Sequence, residues 1–257
     1  MDHACGIISH RGLCRRFRFF PRKGENTIEA FEKGAARLAE LGFPPAIEFD
    51  VRFTKDEVPV VIHDRTVDRT TDGRGTVKGF LFSDLQKLDA GYGRRIPALS
   101  GVLDRFKDED VTFHIELKEN DLAQVVERAV SEHGLAGRVI LSAFNYDDRD
   151  DSTEDAESGS HWSDLTSSGG RLPVALLATN GKISQMGGAS AFVKTAQSLG
   201  AHGIHPEQSA VTEELVAAAH EAGLKVNVWT VNDSAVYQRL AGYGVDNVFC
   251  DSPDFLV

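Results

Sequence analysis

Cysteine is scarce in this chain, which carries only Cys5, Cys14 and Cys250 among its 257 residues. Their odd number and irregular spacing do not form a disulfide framework, and such scarcity is typical of proteins from a reducing compartment. We therefore predict a cytoplasmic protein. The sequence also lacks a C-x-x-C pair and any histidine–cysteine cluster, which excludes zinc sites of the common spacings.

Long apolar runs are missing as well. No stretch approaches the roughly 18 apolar residues of a transmembrane helix. The first residues, MDHACGIISHRG, lack the basic segment and the apolar run of a signal peptide. These absences predict no stable membrane insertion. The sequence leaves the oligomeric state open.

Positive charge is in deficit, because 28 Lys and Arg residues face 39 Asp and Glu residues and the formal net charge is −11 at pH 7. A chain this acidic is not expected to bind nucleic acid nonspecifically. A small anion could still bind where basic side chains cluster locally. The hydrophobic content of 41% and the charged content of 26% are those of an ordinary globular protein.

Short apolar strands alternate with amphipathic helical patterns along most of the chain, and this alternation predicts a parallel sheet. Strands are predicted at 5–9, 46–51, 111–118, 139–143, 174–178, 203–205, 225–230 and 246–250, with an extra hairpin strand at 58–62. Helices are predicted at 28–41 (capped by Asn26 or Thr27), 83–88, 99–106, 122–132, 212–222 and 234–241. Eight strand–helix units in about 250 residues fit an α/β fold of the (β/α)8 TIM-barrel type.

An open, doubly wound sheet is the competing arrangement. It usually carries a G-x-G-x-x-G turn after the first strand, and that motif is absent here. We predict a single domain over residues 1–257, with a small insertion after the second strand at about 52–97 that is rich in Thr, Gly and Asp.

Two loops interrupt the pattern. Residues 13–24, LCRRFRFFPRKG, are basic and aromatic. They fit a packed loop with solvated arginines, a lid over an anionic substrate, or a short membrane-surface contact. Residues 147–170 are acidic and serine-rich with little periodicity, which is typical of a solvated loop, and they lack the spacing of an EF-hand calcium site.

Carboxylates gather on two of the predicted strands. Glu48 and Asp50 lie two residues apart on the second strand, so both side chains point to the same face. Glu116 lies at the corresponding end of the third strand of the predicted barrel. Acids brought together in this way are costly unless a cation lies between them. Three carboxylates form a hard oxygen site suited to one divalent ion, Mg²⁺ or Ca²⁺.

Histidines and basic side chains fall at the same ends of the strands, where the active site of such a barrel lies. His10 and Arg11 end the first strand, His63 ends the hairpin, and Lys118 follows Glu116 at period two. Two histidines can work as a paired acid and base, and the two cations suit an anionic oxygen such as that of a phosphate. Together with a metal, this set predicts cleavage of a phosphate diester, which has one hydroxyl to deprotonate and one leaving oxygen to protonate.

An ordered set of short motifs strengthens this hypothesis. The motifs are HRG at 10–12, ENT at 25–27, EFD at 48–50, PVVIHD at 59–64, RTTDGRG at 69–75, IP at 96–97, IELK at 115–118, SAF at 142–144 and WTVND at 229–233. By these motifs the sequence resembles the glycerophosphodiester phosphodiesterases over nearly its whole length. The resemblance implies a (β/α)8 barrel with an insertion after the second strand.

The resemblance also implies roles for individual residues. Glu48, Asp50 and Glu116 would bind the metal, His10 and His63 would be the acid/base pair, Arg11 and Lys118 would hold the phosphate, Glu25 would support the metal or the His10 surroundings, and Trp229 would contact the substrate alcohol. The implied route is attack by a neighbouring hydroxyl of the substrate, which gives a cyclic phosphate that water then opens. The loops 13–24 and 147–170 depart from the family pattern, so the sequence does not specify the alcohol released.

Two other functions remain open from the sequence alone. A phospholipase D-like relative on the same barrel would act on lysolipids and release a cyclic phosphate. A catalytically silent protein would only bind a phosphodiester, although the presence of both histidines and all three acids disfavours it. The expected partner in each case is a small phosphodiester.

Overall fold

The computed structural model describes residues 5–13, 24–144, 165 and 172–257. Within these residues, eight parallel strands and one antiparallel strand form a single sheet. The strands are β1 (Gly6–His10), β2 (Ala46–Phe53), β3 (Pro59–Val61), β4 (Thr112–Leu117), β5 (Val139–Phe144), β6 (Val174–Ala178), β7 (Gly203–Pro206), β8 (Lys225–Val228) and β9 (Asn247–Cys250). Strand β1 pairs with both β2 and β9, so the parallel strands close into a barrel. The predicted TIM barrel is confirmed, and the open doubly wound sheet is excluded.

Helices follow the barrel strands on the outside. They are α1 (Ile28–Glu40), α2 (Phe82–Leu85), α3 (Leu99–Phe106), α4 (Leu122–Glu132), α5 (Asn180–Gln185), α6 (Ala189–Ser198), α7 (Glu213–Glu221) and α8 (Ser234–Gly242). Of the two caps predicted for α1, the structure has Thr27, whose side chain accepts a hydrogen bond from the backbone N–H of Ala30. The buried face of α1, which includes Phe31 and Leu38, packs on the barrel core.

Strand β2 exchanges one neighbour for another along its length. At its start it pairs with β1, with His10 opposite Glu48. Beyond Asp50 the same edge pairs with β3 in an antiparallel hairpin, with Val51 opposite Val61. The hairpin carries β2 to Phe53, two residues past the predicted end, because these last residues find ladder partners in β3. At the point of exchange the carbonyl of Glu48 accepts from the backbone N–H of Arg11 and that of Asp50 from the backbone N–H of Ile62, so the chain segments after β1 and β3 meet beside β2.

Side chains alternate along β2 between two buried environments. Ile47, Phe49 and Val51 belong to the apolar core between the barrel and its helices, where the ring of Phe49 contacts those of Phe31 and Phe113. Glu48 and Asp50 occupy the opposite face. Because both faces of a barrel strand are buried, these acids are buried as well, at 5% and 0% exposure.

The insertion has a small apolar core of its own, separate from that of the barrel. Its buried members are Val60, Ile62, Val67, Val77, Leu85, Ala90 and Ile96. The short helix α2, which is shorter than the predicted 83–88, supplies Leu85 to this core. The insertion therefore lies as a packed unit beside the barrel mouth. That residues 1–257 form a single domain stays a prediction.

In the described part of the chain, no helix combines the length and apolar character that crossing a membrane requires. The predicted loops at 13–24 and 147–170 lie almost entirely outside the described residues.

Gly12→Ala should destabilise the fold. Gly12 has φ +77°, a left-handed conformation that favours glycine, and an added Cβ would lie 2.6 Å from the backbone carbonyl carbon of Ala30. Strain and overpacking together should lower the free energy of unfolding by about 2–4 kcal/mol, measured from the midpoint and slope of urea unfolding.

Gly101→Ala is the matched control, because Gly101 lies in helix α3 and an added Cβ there meets nothing within 4 Å. It should raise the free energy of unfolding by roughly 0.5–1 kcal/mol, the usual advantage of alanine over glycine in a helix. Equal unfolding midpoints for the two variants would contradict this account of Gly12.

Candidate active site

Three carboxylates converge at the mouth of the barrel. Asp50 lies directly opposite Glu116 in the parallel register of β2 and β4, and Glu48 precedes Asp50 on the same face. One oxygen atom from each residue lies within 4.8 Å of the others, and all three residues are buried. Period two along each strand and the register between the strands account for this convergence.

Burial makes the charge of these acids costly. Burial and the neighbouring charge of Asp50 hold the pKa of Glu48 well above its ordinary value. Burial acts on Asp50 in the same direction, but Arg11 and Lys118 outweigh it and hold the pKa of Asp50 well below its ordinary value. The cluster therefore concentrates negative charge that a bound cation would offset. Three buried oxygen donors at this spacing fit a hard divalent ion.

Arg11 and Lys118 lie directly against the acids. The Arg11 guanidinium Nε is 3.3 Å from Asp50 Oδ2, and Lys118 Nζ is 2.5 Å from Glu116 Oε1 and 3.3 Å from Asp50 Oδ1. The backbone N–H of Arg11 also donates to Glu48 Oε2 at 3.1 Å. Both cations predicted to hold a phosphate thus neutralise the predicted metal ligands in this structure.

Asn26 was predicted only as a possible helix cap, and the structure gives it a different place. Its side-chain Nδ2 donates to Asp50 Oδ2 at 3.0 Å, and its backbone N–H donates to the carbonyl of Arg11 at 2.9 Å. Asn26 and Arg11 both have left-handed backbones, with φ of 55° and 56°. The ENT motif was the sequence signal that could have placed Asn26 in the site.

Each of the two predicted histidines has a carboxylate partner at Nδ1. His10 Nδ1 is 2.7 Å from Asp251 Oδ1, and His63 Nδ1 is 2.7 Å from Asp64 Oδ1. Asn232 in turn donates to Asp251 Oδ2 at 2.8 Å. An ionised carboxylate can only accept, so it places the imidazole proton on Nδ1 and makes Nε2 the basic nitrogen. The sequence analysis did not identify Asp251 as the partner of His10, although Asp251 directly follows the last strand.

Two arginines that the sequence analysis did not single out hold His63 and its surroundings. Arg52 is buried and donates from Nε to the backbone carbonyl of His63 at 2.7 Å. Arg69 donates to both oxygens of Asp64, at 2.6 and 2.8 Å, and to Glu25 Oε1 at 2.7 Å. Glu25 also accepts from Arg11 at 3.2 Å, so it lies between two arginines rather than among the three clustered acids.

A second polar layer lies within the barrel, next to the acids. The rings of His114 and His205 are 5.8 Å apart, and both contact Phe249 edge to face. His205 Nε2 is 3.1 Å from Asn227 Nδ2. The indole N–H of Trp229 donates to the carbonyl of His205 at 2.7 Å, so this predicted substrate contact is anchored to the same layer.

The family to which the chain belongs is decided by comparison with known proteins. The Glycerophosphoryl diester phosphodiesterase family matches residues 10–255. The chain belongs to that family. A glycerophosphodiester phosphodiesterase of Caldanaerobacter subterraneus subsp. tengcongensis is 33% identical over 265 residues, covering 98% of this chain and 96% of the relative. One from Bacillus subtilis is 30% identical, covering 96% and 83%.

Solved structures of glycerophosphodiester phosphodiesterases have the same fold. The enzyme from Agrobacterium tumefaciens superposes with a TM-score of 0.72 at 27% identity and covers 98% of both chains. A phosphodiesterase of Oleispira antarctica, solved in complex with its product sn-glycerol-3-phosphate, has a TM-score of 0.75 at 23% identity and covers 98% of this chain and 95% of its own. The family resemblance, the barrel and the assignment as a phosphodiesterase enzyme are confirmed. The roles of individual residues stay predictions.

The protein should lose stability in acid because of the two buried histidines inside the barrel, His114 and His205. Burial lowers the pKa of His114 from 6.5 to about 4, and burial together with His114 holds that of His205 well below its ordinary value. The folded state keeps both imidazoles neutral, whereas the unfolded chain protonates them near pH 6.5. Their contribution is therefore complete above pH 6.5 and is lost as the pH falls towards about 4.

His114→Leu tests this dependence. For His114 alone, the free energy of unfolding should fall by about 2–3 kcal/mol between pH 7.5 and pH 4.5, and the variant should lack that part of the fall. The measurement is urea unfolding of the parent and the variant at each pH. Because the change with pH is compared, a pH-independent difference in stability between the two proteins does not affect the result. An identical fall in the two proteins would contradict the prediction.

Proposed function

We propose that the chain hydrolyses glycerophosphodiesters, or related sugar or lysolipid phosphodiesters, to an alcohol and glycerol 3-phosphate or another phosphomonoester. The reaction depends on one divalent ion, Mg²⁺ or Ca²⁺, held by Glu48, Asp50 and Glu116. The observation that carries this proposal is the convergence of three buried carboxylate oxygens within 4.8 Å. Family membership supports the reaction class.

The divalent ion and the two basic side chains, Arg11 and Lys118, have different roles toward the phosphate. When bound, the divalent ion supplies Lewis acidity that polarises a phosphoryl oxygen and makes a nearby hydroxyl more acidic. Arg11 and Lys118 bind the phosphate charge, because both lie beside the acids and exchange part of their contact with Asp50 for the substrate anion. A phosphate bound beside Arg11 and Lys118 contacts positive charge and is kept from direct contact with the carboxylates.

His10 and His63 move the protons. One imidazole accepts at Nε2 the proton of the neighbouring hydroxyl of the substrate as that oxygen bonds to phosphorus. The bond from phosphorus to the alcohol oxygen breaks, the other imidazole donates a proton from Nε2 to the leaving alkoxide, and a cyclic phosphate remains. In the second step the roles reverse as water opens the cyclic phosphate. Asp251 and Asp64 hold the Nδ1 protons throughout, so each ring keeps Nε2 as the exchanging nitrogen.

Trp229 and Glu25 complete the proposed site. The indole of Trp229 is fixed by its bond to the His205 carbonyl and meets Phe144 edge to face, with ring centroids 6.3 Å apart. It offers an apolar wall to the alcohol part of a small phosphodiester. Glu25 acts on the substrate through Arg11, whose guanidinium it orients.

Phosphorus-31 NMR of the purified protein with glycerophosphocholine, glycerophosphoethanolamine, a lysophospholipid and a sugar phosphodiester tests the reaction. Each substrate is incubated with Mg²⁺, with Ca²⁺ or with EDTA. We expect metal-dependent formation of glycerol 3-phosphate from the small diesters. A cyclic phosphate as the end product of the lysolipid would instead indicate a phospholipase D-like enzyme, and no turnover of any substrate would contradict the proposal.

His10→Ala and His63→Ala should each lower kcat by about 10²–10⁴-fold, the usual contribution of one general acid or base. The control is His133→Ala, since His133 ends helix α4 and bonds to the carbonyl of Ala129. Initial rates with glycerophosphocholine at saturating metal give the comparison. A loss of less than tenfold in both variants would exclude the two-histidine mechanism.

Glu48→Gln should raise the metal concentration needed for half-maximal activity, because the substitution keeps the shape but removes one charged donor. Calorimetric titration of Mg²⁺ or Ca²⁺ into the same variant should show the weaker binding without any turnover. Glu109→Gln is the matched control, because Glu109 lies three residues after the end of α3, pairs with Arg105 and has a side chain that is 43% exposed. Unchanged metal titrations for Glu48→Gln would remove this residue from the metal site.

A further inference from the structure

Arg69 lies in the insertion after β2, and its guanidinium reaches the carboxylate partner of His63. Its Nε donates to Asp64 Oδ2 at 2.6 Å and its Nη2 donates to Asp64 Oδ1 at 2.8 Å. The same Nη2 donates to Glu25 Oε1 at 2.7 Å. One guanidinium thus binds the partner of His63 with a two-pronged contact and the partner of Arg11 with a third hydrogen bond.

These contacts form a continuous path. His63 bonds to Asp64, Asp64 to Arg69, Arg69 to Glu25, and Glu25 to Arg11, at distances between 2.6 and 3.2 Å. Only a planar guanidinium offers parallel donors to both oxygens of a carboxylate while a further N–H remains for a second acid. Glu25 is buried at 4% exposure, so its charge depends on the two arginines beside it.

The two-pronged contact fixes how Asp64 meets His63. Asp64 Oδ1 accepts from both Arg69 and His63, which defines the rotation of the carboxylate and, through it, the plane of the imidazole. Burial raises the pKa of Asp64, but the hydrogen bonds from His63 and Arg69 outweigh this effect and hold it below its ordinary value. Asp64 therefore remains an ionised acceptor, and the Nδ1 proton of His63 stays in place.

We propose that Arg69 is a positioning residue, which orients the imidazole of His63 through Asp64 and couples it to Arg11 through Glu25. The inference rests on the proposed acid/base role of His63. Arg69 acts on the reaction without touching the reacting atoms. The insertion is held together by its own apolar core, so loss of the Arg69 side chain should alter the site more than the fold.

Arg74 provides the matched control, because it lies in the same insertion, its side chain is 73% exposed, and its contacts are with the nearby residues Asp68 and Gly73 and not with the site. Arg69→Ala should lower kcat by about 10–100-fold, the usual loss when a group that orients a functional side chain is removed. Arg69→Lys should recover part of this loss, since it keeps the charge but not the fork. Arg74→Ala should leave kcat unchanged.

Chemical rescue separates positioning from folding. The Arg69 side chain is 33% exposed, so free guanidinium can enter the space that Arg69→Ala creates. Added guanidinium in the low millimolar range should raise the rate of Arg69→Ala several-fold and should not raise that of Arg74→Ala or the parent enzyme. Absence of rescue, with a folded variant by circular dichroism, would overturn the inference. Should Arg69→Ala not fold, Arg69→Met is tested in the same way.

A double-mutant cycle distinguishes failure of this inference from failure of the proposed function. In the His63→Ala background, Arg69→Ala should lower kcat by less than about threefold, because the residue through which it acts is gone. If the loss is as large as in the parent, Arg69 does not act through His63 and the inference is overturned while the role of His63 stands. If His63→Ala alone retains most activity, the proposed mechanism fails and the inference fails with it.

Discussion

Burying three carboxylates at one point is the constraint on which the rest of the site depends. Glu48, Asp50 and Glu116 lie on adjacent strands with no more than 8% exposure, so their charge must be met locally. Arg11 and Lys118 meet part of it, and the left-handed backbones of Arg11 and Asn26 aim their donors at Asp50. Strained backbone of this kind persists where its surroundings hold it, and here the ion pair of Arg11 and the hydrogen bonds of Asn26 do so.

The exchange of neighbours along β2 explains how so many polar groups reach one place. A barrel strand normally has a partner on each edge to its end, and its polar mouth is closed by loops. Here one edge of β2 leaves β1 at Glu48 and takes β3 beyond Asp50, so the chain turns back and delivers His63 beside the acids. Arg52, on the same hairpin, then holds the His63 carbonyl. Two of the three acids, Glu48 and Asp50, therefore lie on the same hairpin as His63, while Glu116 comes from β4.

The parts of the site that follow from regular strand geometry could be predicted from the sequence. The contacts between segments far apart in the chain could not. Period two on β2 and β4, with parallel register, was enough to bring Glu48, Asp50 and Glu116 together. The contact of His10 with Asp251 joins residues 241 apart and exists only because β1 pairs with β9. The bonds of Arg69 depend on irregular backbone in the insertion, for which no periodicity exists. Helices α5 and α6 were not delimited in the sequence; both lie between the same two strands, β6 and β7, where the alternation of one strand with one helix leads to the expectation of a single helix.

The separate apolar core of the insertion has a consequence for how the molecule moves. Cooperative units of a protein open independently when each has its own core and few contacts join them. The insertion has its own apolar core, and its attachments to the rest of the chain include the β2–β3 ladder and the ion pairs of Arg69 with Glu25 and of Lys78 with Glu119. Its opening would withdraw Arg69 and loosen His63 while Glu48, Asp50 and Glu116 kept their places on the barrel. Amide hydrogens of the insertion would then exchange with solvent as a group, ahead of those of the barrel strands.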